Sequence, residues 1–285
     1  MRTRPPFIRR YQIPLFYVLA FALTWIVWGS EAAEARGLLS FHLPDKLAYF
    51  GVTFAAVIVA LLAGGKAGFL GLVKRMVRVR AGPQWYAAVL LGPFAISMAA
   101  VGIYRLFGGT IVLDPTVTLG VIPIFLLNEV ALFWGTEELG WRGFALPRLQ
   151  SRYNALTAAL IAGVLWGLWH TPAFLNPASP ISTYPYVAFL VFAVGESIIV
   201  TWVYNHTRGS VVIAALLHGA TDVALVFNGT ILNGAPLFWL VTGVTWAVAL
   251  VIIAVEGPAT LARGARIHPE AVVEIEPPAT RVATA

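Results

Sequence analysis

The sequence is built around about eight apolar runs, at 13–29, 47–64, 85–106, 119–134 or beyond, 155–170 or beyond, 184–204, 211–227 and 237–255. A bilayer's hydrocarbon core is about 30 Å thick, which takes roughly twenty helical residues to cross. Within it every backbone N–H and C=O must be satisfied by the segment itself or by a closed barrel. Runs of this length and number predict an all-α fold, a polytopic membrane helix bundle of about eight transmembrane helices. Composition agrees: 59% of the residues are hydrophobic and 11% are charged, where a soluble domain carries about a quarter charged. A soluble secreted enzyme and a nucleic-acid binder are therefore excluded, and the first partner is the lipid bilayer. The run at 13–29 is expected to stay as a helix, because no small-residue cleavage site follows Trp28. With no cysteine in the chain, disulfides, thiolate nucleophiles and Cys-ligated metals are unavailable.

The formal charge of +6 reports topology. Arg2, Arg4, Arg9 and Arg10 precede the first run, and Lys66, Lys74, Arg75, Arg78 and Arg80 follow the second. Arg148, Arg152, Arg208, Arg263 and Arg266 fall on the same side if eight helices are threaded alternately. The opposite connections hold Glu31, Glu34, Arg36, Asp45, Lys46 and Asp114, then a neutral stretch at 171–183. Positive charge stays on the cytoplasmic side. Both termini are thus expected in the cytoplasm, in a multi-pass protein of a bacterial plasma membrane. Residues 1–256 form the expected transmembrane domain, and 257–285, with Pro258, Pro269, Pro277 and Pro278 and no apolar period, reads as a disordered cytoplasmic tail.

Ionisable groups in a bilayer cost at least a few kcal/mol each, so a helix keeps them where they pair, face a wet cavity or carry chemistry. They are Glu129, Glu137, Glu138, Arg142, His170, Glu196, His218 and Asp222, with Asn128 and Asn205 as neutral companions. Glu138 and Arg142 are an i,i+4 pair with the acid first, the favourable order. Glu137, about 100° around the helix, is then the carboxylate free to work. The same cluster would also serve as an interfacial cap. If the fourth helix continues to about Gln150 and turns at 152–154, Glu137 and His170 lie level across an antiparallel hairpin. Trp166, one turn before His170, can pack an indole against the imidazole. A lone interfacial histidine stacked on Trp166 and Trp169 is the simpler account of that motif. His218 and Asp222 form a second i,i+4 pair, flanked by the small residues Gly219 and Ala220. Glu129 could line the same cavity two turns from Glu137, and Glu196 is expected to be a hydrogen-bonded structural residue.

Three pieces of sequence, E-E-L-G-W-R-G from Glu137, W-G-L-W-H ending at His170 and H-G-A-T-D from His218 to Asp222, together resemble the CPBP family, the type II CAAX prenyl endopeptidases and bacteriocin-immunity proteins. The resemblance covers a core of about 119–227. At its last position this chain has Asp222, where the prenyl-protein proteases have Asn. The resemblance implies an intramembrane endopeptidase that cleaves a membrane-associated or lipidated protein, such as a prenylated peptide, near its C-terminus. By the same carry-over Glu137 is the general base and His170 orients the water. His218 and Asp222 then face the oxyanion, while Glu138 and Arg142 are a structural pair. No cofactor is implied, although Glu137, His170 and His218 could ligate zinc in an alternative version. A non-proteolytic immunity or scaffold role, and a proton-relay transporter, are the competing functions.

Overall fold

The computed structural model describes residues 6–264 and 268. Among them there is no β-strand, and eight helical rods follow the apolar runs. They are α1 (Gln12–Ala35), α2 (Gly51–Met76), α3 (Pro83–Leu106), α4, α5 (Ala155–Trp169), α6 (Tyr186–His206), α7 (Val211–Phe227) and α8 (Gly234–Glu256). The rod α4 is continuous through Ile122–Phe133, Trp134–Ala145 and Leu146–Gln150, its middle part being a π-helix. Six of the helical segments are long and apolar enough to cross a membrane by length and composition. The other two are α4, which turns polar halfway, and α7, which has 17 residues. Both belong to the site.

The helices close around α4. Its π-helical part packs on α2, which packs on α1; its first half packs on α7, which packs on α3. α6 lies against α5 and α8. Side chains such as Val18, Ile26, Leu91, Leu127, Leu250 and Val255 point outward and are exposed, as an apolar face toward lipid requires.

Two sequence expectations change at the basic end. The second apolar run does not stop at a loop after Gly64. The chain breaks at Gly65, whose φ of 58° suits glycine, and resumes as helix to Met76. Lys66, Lys74 and Arg75 are therefore helical, and Arg75 is buried, donating to the Tyr204 hydroxyl at 2.9 Å and the His268 carbonyl at 2.6 Å. The tail expected to be disordered from 257 instead starts as packed chain. The Pro258 and Ala259 carbonyls accept from the N–H groups of Leu156 and Ala155, at the open N-terminus of α5. Thr260 accepts from Asn205, and Leu261 is fully buried. The rest of the tail, His268 apart, lies outside the described residues.

Gly163 brings α5 and α6 together: a Cβ there would lie 2.8 Å from Val194 Cα and 2.9 Å from Ser197 Cβ. Gly163→Ala is expected to cost about 1–3 kcal/mol by overpacking. Gly92→Ala, with nothing within 4 Å, serves as control. Thermal melts in detergent should show a lower transition for the first and no loss for the second.

Candidate active site

The π-helical stretch W-G-T-E-E-L-G-W-R-G-F-A sets the site. Its wide turns show in the Leu146 N–H, which donates to Trp141 O five residues back. π-helical turns are rare and often functional. Here α2 supports the loosened backbone, since Thr53 Oγ1 donates to Thr136 O at 3.0 Å. Gly140 admits α2 so closely that a Cβ would stand 2.9 Å from Val52 O.

Glu138 is fully buried, and its Oε1 accepts from Arg142 Nη1 at 2.6 Å and from His218 Nδ1 at 2.9 Å. Arg142, 3% exposed, lies with its guanidinium 4.7 Å from the Trp166 ring centroid. His218 stacks flat on Phe133, 3.8 Å between centroids. The i,i+4 pairing of Glu138 with Arg142 is thus present, but the i,i+4 pairing of His218 with Asp222 is not. His218 reaches across to α4, where the ionised partner of an arginine is a stronger acceptor. That leaves Asp222 facing the cavity.

Glu137, 2% exposed, is not a free carboxylate. Its Oε2 accepts from Trp166 Nε1 at 3.1 Å and Trp141 Nε1 at 3.4 Å. His170 sits just past the end of α5, with Nδ1 2.9 Å from Trp166 O. A carbonyl only accepts, so Nδ1 carries the hydrogen, and in the neutral ring Nε2 is left with a lone pair. Trp166 therefore holds both candidates, the glutamate by its indole N–H and the histidine by its carbonyl. Trp28, Trp169 and Phe189 surround the imidazole.

Glu137, His170, His218 and Asp222 all line one cavity of about 540 Å³. Among the described residues no direct hydrogen bond joins these four; Glu137 and His170 are linked through Trp166, and His218 is held by Glu138. Glu129 lines the same cavity, two turns from Glu137 as its spacing suggested. Glu196 does too, beyond the purely structural place expected for it, and accepts from Thr221 Oγ1 at 2.9 Å. Its position mid-helix in an apolar run was the available signal. Trp166 as a clamp on Glu137 had none, because the contact depends on how two helices pack.

Residues 115–224 match the family model described as type II CAAX prenyl endopeptidase Rce1-like. Over that stretch the core is similar to the type II CAAX prenyl endopeptidases. A curated relative, CAAX prenyl protease 2 from Methanococcus maripaludis, is 26% identical over 235 residues, covering 73% of this chain and 82% of the relative. The match to the family model takes in all three motifs, from Glu137 to Asp222, and together with the curated relative it supports an intramembrane endopeptidase.

Removing Glu138 would strand both Arg142 and His218. Glu138→Ala is expected to lose roughly 3–5 kcal/mol, the cost of an unpaired buried charge. Glu137→Gln keeps a carbonyl oxygen for the two indoles and should melt close to the parent. Melts in detergent in the reverse order would overturn this division.

Proposed function

We propose that the protein hydrolyses a peptide bond of a membrane-associated or lipidated protein with a water activated by Glu137 and His170. The observation that carries the proposal is the single cavity shared by Glu137, His170, His218 and Asp222. In this mechanism a water lies between the Glu137 carboxylate and His170 Nε2. Glu137 takes a proton as the oxygen attacks the scissile carbonyl carbon, and later passes it to the leaving amine. His218 in its doubly protonated form keeps Nδ1–H on Glu138 and offers Nε2–H to the oxyanion. Asp222 in its protonated form donates as an asparagine would. Glu138 and Arg142 hold His218 rather than touch substrate.

Zinc ligation by Glu137, His170 and His218 is the alternative. The donor set fits it poorly: among the described residues no three His, Asp or Glu side chains gather in a metal-holding group. Glu137 is occupied by two indole N–H donors, and His218 turns Nδ1 to Glu138. The mechanism proposed is metal-independent. The apolar part of the cavity, with Phe125, Phe189, Phe192, Leu225 and Phe238, suits an apolar segment or a lipid chain such as a prenyl group. We also propose that the basic connections lie in the cytoplasm of a bacterial cell.

Purified protein incubated with a peptide library, including prenylated C-terminal peptides, tests this reading. Glu137→Gln and His170→Ala should abolish cleavage. His218→Ala should lower kcat by about 10²–10³, as for loss of one oxyanion donor. Asp222→Asn should remain active, and chelators should leave the rate unchanged. One zinc per active chain, with activity lost to chelators and restored by zinc, would overturn the glutamate mechanism.

A further inference from the structure

The cavity has a floor and a mouth, and they lie at opposite ends of the bundle. Glu31, at the end of α1, and Asp45 and Tyr49, just before α2, line the mouth together with Asn176, Ser179 and Ile231. These residues come from the α1–α2, α5–α6 and α7–α8 connections. At the other end stand Arg9 and Arg10, the end of α2 with Lys74 and Arg75, then Arg78, Arg80, Arg148, Arg152, Arg208 and Arg263. No residue of that basic end lines the cavity.

Below the catalytic candidates the path toward the basic end is filled. The Glu138–Arg142 pair is buried, and beneath it Phe16, Trp141 and Phe144 pack together with ring centroids 5.1–5.5 Å apart. Phe144 is fully buried, and Gln150 and Asn205 close the same end with mutual amide hydrogen bonds at 2.9 and 3.0 Å. The mouth is different in charge. Glu31, Glu34, Asp45 and Asp114 lie at that end, against Arg36, Lys46 and Arg105. At the basic end the connections at 77–82, 151–154 and 207–210 carry cations and no acidic residue in their sequence, with Glu256 at the end of α8.

Retention of basic segments on the cytoplasmic side sets orientation in short connections such as these. Combining it with the position of the mouth, we infer that the proteolytic cavity opens away from the cytoplasm, so that its substrate is the extracytoplasmic part of an exported or membrane-anchored protein. The inference rests on the endopeptidase reading for the word substrate, but the direction of opening stands on geometry and charge alone.

The chain has no cysteine, so single-cysteine variants label without background. Ala178→Cys reports the mouth, Leu225→Cys the cavity wall and Ser151→Cys the basic end; Ala178 and Ser151 lie outside the apolar wall proposed for substrate, and Leu225→Cys serves as a labelling probe alone. A membrane-impermeant maleimide added to intact cells should label Ala178→Cys and Leu225→Cys, and should reach Ser151→Cys only in inverted vesicles. Labelling of Ser151→Cys in intact cells, or of Leu225→Cys only in inverted vesicles, would overturn the inference. Reconstituted protein sorted by the same labelling should cleave an impermeant peptide library offered on the Ala178 side and not on the Ser151 side. Cleavage from the Ser151 side would overturn the inference. Absence of cleavage in detergent as well, with the labelling as expected, would instead overturn the endopeptidase reading and leave the opening where it is.

Discussion

A buried carboxylate shared between an arginine and a histidine organises this bundle. Glu138 has no exposed surface, and a single oxygen accepts from both Arg142 and His218. In an apolar interior an ion cannot be left half-compensated, so α4 and α7 are committed to one relative position. The stacking of His218 on Phe133 and the placing of Arg142 over Trp166 follow from that commitment. Through Trp166 the constraint reaches α5, and with it Glu137 and His170. The residues proposed for chemistry are thus held by neighbours that do none.

The helix bundle was legible in the sequence because the bilayer fixes helix length and leaves the backbone few options. α7 at 211–227 coincides with its apolar run, and most of the others differ by a few residues at their ends, whereas α2 runs on to Met76. The continuation of α4 past Trp134 was legible from the spacing of Glu137 and His170 about the 152–154 turn. Its π-helical turns were not, since they depend on support from Thr53 and close approach at Gly140. Nor was the break at Gly65, because glycine occurs in many unbroken membrane helices.

At the site, the i,i+4 rule found the Glu138–Arg142 pair because both groups share one helix face. The same rule misplaced His218, which has Asp222 one turn away and Glu138 on another helix. Local spacing weighs only neighbours along the chain, whereas a buried histidine takes the strongest acceptor that packing presents. Glu196 shows the same limit from the other side: its helix explained its cost but not its orientation toward Thr221 and the cavity.

The π-helical segment also makes α4 sensitive to length. Its backbone bonds five residues back, one more than in an α-helix, so a return of one such turn to ordinary α-helical bonding would leave one residue in excess. The helix would remain whole and as apolar as before. Yet the part before that turn would rotate by about one residue's angular step, roughly 100°, relative to the part after it. Phe133 and Glu129 would swing off the cavity wall while Arg148 kept its place on Gln12 and Phe144. Register along a single helix, rather than any one side chain, is therefore what the wide turns of this segment preserve.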